Sequence, residues 1–432
     1  MTLTEVALIW SGYSGMISGI RCSTTFITID PKRPSALAAR IAGTPGIPGS
    51  ACRVPSGTRV TGLRTEPTLK SKTVDDMNRY PVLFRCDATP EIGWEALWQS
   101  LTYAAALQRR RRGTYVCGNF APFPVLPHIT RAGNEYVPAD HPFGTPEDAT
   151  FTARMIRKYQ VASVVVAGKD LDEGYLKTVE AAGAMLIVID SENKLRFPGR
   201  VVIHPFLGQT AHRFRAHAGT QVLAGGRYPL VRSLFRRQRA MRAIEPRGPV
   251  RALLAFGDND FADQTLIRAK ELLGSSKIER VSAAIRIHHP RLDELRDLAA
   301  SSVGRFEVLT ETNDLMTRLV RSQFVLTSGD NWTMEMACVG IPQLILAQED
   351  HHRVNARAID AEGGATLLGN AEDVTHKQLH DAIGYLLSDE LERTTMTRCA
   401  RRLIDGRGQD RIVNALEIML HSGRTGSARV AA

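Results

Sequence analysis

The sequence predicts an α/β protein made of two doubly wound, Rossmann-like domains that face a cleft, preceded by an irregular N-terminal extension. Three observations carry this expectation. Short, largely apolar runs such as Ala162–Ala167 and Met185–Ile189 alternate with longer amphipathic stretches, as parallel strands do when helices cover both faces of a sheet. The alternation begins near residue 81, breaks at a charged, proline-bearing segment, and restarts. The chain of 432 residues, 43% hydrophobic, is also longer than one core of about 250–300 residues usually serves.

The elements are expected in this order. Residues 1–76 are rich in Pro, Gly, Ser and Thr and show neither helical nor strand period, so they form an irregular or disordered extension. Met77 just precedes the first strong strand and is an alternative start to the reading frame. The first domain, 77–235, places strands at Val82–Cys86, Thr114–Gly118, Ala162–Ala167 and Met185–Ile189. Helices at Glu95–Arg110, Pro146–Tyr159 and Glu173–Ala182 separate them. Residues 236–249, with five arginines and two prolines before the next strand, read as a linker.

The second domain, 250–420, alternates again. Its strands are expected at Val250–Phe256, Val281–Ile287, Phe306–Leu309, Phe324–Thr327 and Gln343–Leu346. Helices are expected at Ala262–Leu273, Leu292–Ala300, Asp314–Val320 and Asn331–Val339, with more to about 420 and a tail at 421–432. In such folds a ligand sits at the carboxyl ends of the strands, here in the cleft between domains.

Composition excludes several classes of function. Mixed, aperiodic content rules out collagen, coiled coil and wholesale disorder. No apolar run reaches the roughly 18 residues of a membrane span, and the opening segment lacks the basic start of a secretion signal. Six scattered cysteines without CxxC pairs or His partners at zinc spacing fit reduced thiols in the cytoplasm, and no metal site or cofactor is expected. The net charge of +10 invites a nucleic-acid partner. Yet its arginine clusters, Arg109–Arg112 and Arg236–Arg239, come with no RNA-binding aromatic signature, so solvated helix faces and a small anionic ligand account for it better.

The strongest candidate site follows strand Phe324–Thr327. The loop Ser328-Gly329-Asp330 runs into a helix at Asn331, with Thr333 and Glu335 in its first turns. Free N–H groups at such an end attract a phosphate, and Glu335 could accept the two hydroxyls of a ribose. A plain capped helix explains the same residues. A second loop, Gly257 to Asp260, suits close backbone approach at Gly257 but brings carboxylates that repel a diphosphate. A third, Gln348 to Asn355, offers His351, His352, Arg353 and Asn355 to phosphate or sugar oxygens. Adjacent histidines should point different ways on a helix, which argues against a metal pair at His351 and His352.

From about 81 to 420 the chain resembles the UDP-sugar hydrolases of the pseudaminic-acid pathway, which have the GT-B fold. It is also similar to spore-coat polysaccharide proteins and, more distantly, to the lipid II-forming N-acetylglucosaminyltransferase. The similar stretches are Arg85 to Gly93, Leu186 to Asp190, Gly225 to Arg232 with Phe235, Asn313 to Met316, Ser328 to Glu335, Gly340 to Pro342 and Asp405 to Arg411. The resemblance implies a UDP-sugar or UDP ligand, with Gly93, Tyr228 and Arg232 on the N-terminal wall of the cleft. It leaves room for peripheral membrane association and says nothing of oligomeric state.

The departures fall in the reactive half. The family's first loop carries a second glycine and a catalytic histidine where this chain has Glu95 and Ala96, and the second glycine of its double-glycine loop is Asp258 here. Glu95 is a weak substitute, since it sits about 100° around a helix from the missing imidazole. Asp87 is a second weak catalytic candidate. The expectation is a UDP-sugar-processing protein of cell-surface polysaccharide or nonulosonic acid synthesis, hydrolysing or transferring an amino sugar. The alternative is a catalytically inactive nucleotide-sugar-binding relative.

Overall fold

Each apolar run becomes a buried parallel strand, and the computed structural model describes residues 81–120, 125–169, 171–257, 260, 262–287 and 289–427. The extension 1–76, Met77, Asp258 and residues 428–432 of the expected tail lie outside the described residues.

The first sheet contains β1 (Val82–Arg85), β2 (Thr114–Gly118), β3 (Glu135–Pro138), β4 (Ser163–Ala167), β5 (Met185–Ile189), β6 (Val201–Ile203) and β7 (Gln221–Leu223). Their order is β3-β2-β1-β4-β5-β6-β7, parallel throughout. The second contains β8 (Arg251–Ala255), β9 (Arg280–Ala284), β10 (Phe306–Leu309), β11 (Phe324–Thr327), β12 (Gln343–Ala347) and β13 (Thr366–Asn370), ordered β10-β9-β8-β11-β12-β13 and also parallel. These are two α/β Rossmann-like domains, as the sequence predicts.

Alternate residues of each central strand serve opposite layers. On β1, Val82 and Phe84 join one apolar cluster and Leu83 the other. On β8, Ala252 and Leu254 face one layer, Leu253 and Ala255 the other. Strand order reverses between β1 and β4, and again between β8 and β11. Those two switch points are where a doubly wound sheet leaves a crevice at its carboxyl edge.

Two segments differ from the sequence expectation. The stretch expected as a linker is helical at its start, because the helix Ser233–Met241 buries Phe235 against the helix Asn331–Val339. Its basic residues are used internally: Arg239 donates to the carbonyls of Arg401 (2.7 Å), Ile404 (3.0 Å) and Cys338 (3.3 Å). The last helix, Gly408–Ser427, was placed by the sequence largely in the second domain but packs on the first. Ile412, Val413, Leu416 and Met419 form an apolar stripe in the cluster that holds β1 and the helix Glu95–Arg109. Arg109 and Arg110 fasten the pair from outside, to Asp410 at 2.6 Å and to Asn414 at 2.8 Å. Both arginine clusters thus serve contacts between helices. Among the described residues, no helix is long and apolar enough to cross a membrane.

Two outcomes follow from this packing. Leu416 is 1% exposed, so Leu416→Ala should destabilise the chain by about 2–5 kcal/mol, read from the denaturant midpoint. His204, at the end of β6, is buried and donates from Nδ1 to the carbonyl of Asp190 at 2.8 Å. Burial holds its imidazole down to about 4. Below about 6.5 the unfolded chain takes up a proton that the fold refuses, so stability falls as pH drops from about 6.5 to 4 and levels off beneath. Replacing His204 with Asn should remove on the order of 3 kcal/mol of that pH dependence, measured by unfolding at stepped pH.

Candidate functional site

Four loops leave the two switch points and meet in one slot. They follow β1 (Gly93, Glu95), β4 (Lys169), β8 (Gly257, Asp260) and β11 (Asp330, Asn331). Two glycines make the close approach feasible. Gly257 has φ +90°, and a Cβ there would lie 2.7 Å from Oδ2 of Asp330. Gly329 also has φ +90°, and its Cβ would lie 2.5 Å from the carbonyl oxygen of His352. No other residue type would keep these loops where they are.

The loop after β11 holds itself. Oδ1 of Asp330 accepts from the Thr333 N–H at 3.3 Å and caps the helix Asn331–Val339. Thr333 Oγ1 accepts from the Gly329 N–H at 2.9 Å, so this predicted residue braces its own loop. Ser328 Oγ and Asn331 Oδ1 are buried with no hydrogen-bond partner, which leaves both able to take a ligand's polar groups.

Glu335 is wholly buried one turn further in. Arg232 covers it: Nε donates to Oε1 at 2.7 Å, Nη2 to Oε2 at 2.6 Å, and the backbone N–H to Oε1 at 3.3 Å. The guanidinium also lies 4.7 Å from the Phe235 ring centroid and 5.2 Å from that of Trp332. Arg232 therefore lines the slot, as predicted for the N-terminal wall, while the carboxylate expected to face it lies behind the guanidinium.

A second polar group spans the slot from the N-terminal to the C-terminal domain. Lys169 Nζ pairs with Glu349 Oε2 at 2.6 Å. Glu95 Oε1 accepts from Ser191 Oγ at 3.1 Å and Gln99 Nε2 at 3.2 Å. Its Oε2 lies 3.5 Å from His352 Nε2, and Oε1 lies 3.9 Å from His351 Nε2. Burial works against the charge on Glu95, but His352, His351 and Lys169 outweigh it and hold the carboxyl at about 2. A group that acidic is a poor proton acceptor near neutrality, which weakens Glu95 as a replacement base. His352 is pushed the other way: burial opposes its charge, and Glu95 more than restores it.

The expectation that His351 and His352 diverge is corrected. Their ring centroids lie 4.2 Å apart, and both rings turn to Glu95 from the first turn of the helix Asp350–Ala361. Side chains lean toward a helix's N-terminus, so at the first turn two successive ones can bend over the same end.

Several predicted residues are engaged elsewhere. Asn355 is fully buried and spans the domains, accepting from the Leu207 N–H at 2.9 Å and donating to the Gly329 carbonyl at 2.7 Å. Arg353 bonds Asp350 and Asn370 on its own side of the helix. Tyr228 packs against the N-terminal core. Asp87 is held by Arg85 and by the Asn119 N–H (2.9 Å), and borders a cavity of about 560 Å³ in the N-terminal domain. Ala96 and Glu95 line that cavity too, so it adjoins the slot. Sequence reasoning missed Lys169 and Glu349, although each follows an apolar strand at its carboxyl end, the position that exposes a residue to the crevice.

No family model matches the chain. A segment of 113 residues, 26% of the chain, is 26% identical to the spore coat polysaccharide biosynthesis protein SpsG of Bacillus subtilis. The match spans about a third (33%) of that relative's length. Among solved structures, MurG of Acinetobacter baumannii superposes with TM-score 0.54 at 14% identity, over 78% of this chain and 99% of that one. A UDP co-structure of MnaA from S. aureus gives TM-score 0.53 at 14% identity, over 79% and 97%. At these identities the likeness establishes a shared fold, the GT-B arrangement of two Rossmann-like domains.

Arg232→Ala would leave the Glu335 charge buried without its partner and should destabilise the protein by about 3–5 kcal/mol. The double change Arg232→Met with Glu335→Leu removes both charges and should cost clearly less. Urea unfolding of the three proteins checks the ordering.

Proposed function

We propose that the protein binds a UDP-linked sugar in the interdomain slot and releases or transfers that sugar during cell-surface polysaccharide synthesis in the cytoplasm. The observation that carries this reading is the meeting of four switch-point loops at one slot, with the amino end of the helix Asn331–Val339 on one wall and the 560 Å³ cavity beside the other. The similarity to SpsG over 113 residues supports the polysaccharide context, and the UDP held by the MnaA relative supports the nucleotide.

In this reading the diphosphate lies at the N-terminus of that helix, near Asn331 and Ser328, where N–H dipoles favour negative charge. The sugar occupies the N-terminal cavity, an amino sugar by the resemblance of the motifs. Ribose hydroxyls reach Glu335 when Arg232 swings from the carboxylate toward the phosphates. Hydrolysis and transfer differ only in whether water or an acceptor hydroxyl attacks.

A second reading, an inactive nucleotide-sugar-binding protein, is favoured by Ala96 at the position of the family's imidazole and by the acidity of Glu95. The two are separated by incubating the protein with a panel of UDP-sugars while following UDP release and the thermal midpoint together. UDP should raise the midpoint, and Glu335→Gln should weaken UDP binding roughly 10–100-fold through loss of charged hydrogen bonds. Free sugar identifies a hydrolase, a conjugate with an acceptor identifies a transferase, and stabilisation without release identifies the binding protein. If UDP and its sugars leave the midpoint unmoved, the reading fails.

A further inference from the structure

Three side chains from two domains converge, and hydrogen bonding accounts for only part of the arrangement. Nε2 of His351, and both Nδ1 and Nε2 of His352, are buried with no hydrogen-bond partner. The two residues are only 9% and 6% exposed, and both rings turn to the carboxylate of Glu95 across the slot. The ion contacts to Glu95 at 3.5 and 3.9 Å are long, and Nδ1 of His352 has no partner at all, so the buried rings keep unused coordinating capacity.

The donor atoms of Glu95, His351 and His352 all lie within 4.8 Å of one another, the one such trio of His, Cys, Asp or Glu among the described residues. Zinc bonds of about 2.0–2.1 Å in a tetrahedron place donors roughly 3.3 Å apart; here Oε2 of Glu95 lies 3.5 Å from Nε2 of His352 and Oε1 lies 3.9 Å from Nε2 of His351, so small side-chain shifts would bring one oxygen and both rings onto a single ion. The surroundings are also those of a metal centre. Glu349 Oε2 lies 3.6 Å from Nδ1 of His351, a carboxylate behind an imidazole, and Lys169 fixes that carboxylate. Ser191 and Gln99 orient Glu95 from the other side. The slot itself is lined by four carboxylates, Glu95, Asp260, Asp330 and Glu349, against the cations Lys169 and Arg232.

We propose that Glu95, His351 and His352 form an interdomain site for a divalent transition-metal ion of the zinc class. Two imidazoles and one carboxylate select such an ion over magnesium or calcium, which prefer oxygen ligands. Glu95, in the loop position where the related hydrolases carry glycine, thereby has a role as ligand. The site stands on these side chains alone. That the ion also offers positive charge to a diphosphate in the slot rests on the function proposed above.

The test uses the full-length protein prepared without a polyhistidine tag, stripped with EDTA, and titrated with Co²⁺ in the absence of nucleotide. The expected result is one equivalent bound per chain at micromolar concentration or below, with the visible band of four- or five-coordinate cobalt, bleached by one equivalent of Zn²⁺. Glu95→Gln and His352→Ala should each weaken binding at least roughly 100-fold, and Glu349→Gln, behind the imidazole, about 10–100-fold. Circular dichroism of the stripped variants controls for folding, and the wild-type titration decides without any variant. Absence of the cobalt band, or a band that survives both ligand substitutions, overturns the site. Metal binding without any UDP binding would leave the site standing and refute the nucleotide reading instead.

Discussion

The ion pair between Arg232 and Glu335 fixes the geometry around which the cleft is organised. A carboxylate with no exposed surface cannot draw on water, so its charge is tolerable only while three N–H groups of one residue point at it. That requirement sets where the chain enters the helix Ser233–Met241 and how that helix lies on Asn331–Val339. The aromatic rings of Phe235 and Trp332 close over the guanidinium, so the pair is held by shape as well as charge. Any group that takes Glu335 must first displace an arginine, and the arginine must find another anion.

Across the slot, much of what joins the two domains is polar. Lys169 reaches Glu349, the Asn355 amide links Leu207 to Gly329, and Glu95 faces the two histidines. Interfaces of this kind are usually softer than apolar ones, and their strength follows the charge state of a few side chains. Apolar contact is added by Phe206, Leu207 and Val231, first-domain residues that join the cluster holding β8 and β11.

The architecture was legible because buried parallel strands leave an unmistakable mark. Runs such as Ser163–Ala167 and Met185–Ile189 are apolar on both faces and can be little else. Of the strands that escaped notice, Glu135–Pro138, Gln221–Leu223 and Thr366–Asn370 are sheet edges that mix polar with apolar residues, and Val201–Ile203 is apolar but only three residues long. The site was half legible. Its loops could be placed from strand–loop–helix punctuation, and Gly93, Glu95, Gly257, Arg232 and Asn331 do line one slot. The sequence could not reveal partners: that Arg232 would close over Glu335 across 103 positions, that Asn355 would be spent on backbone groups, or that His351 and His352 would bend together. Those outcomes depend on which helix end meets which loop in three dimensions.

The packing of the final helix, Gly408–Ser427, against Glu95–Arg109 has a consequence for how the molecule is made. The first domain keeps an apolar groove that stays uncovered until this helix has left the ribosome, about 185 residues after that domain's last strand, Gln221–Leu223. Maturation of the N-terminal half therefore waits on synthesis of nearly all of the C-terminal half, and a chain cut short before Gly408 lays bare the core of the first domain rather than that of the second.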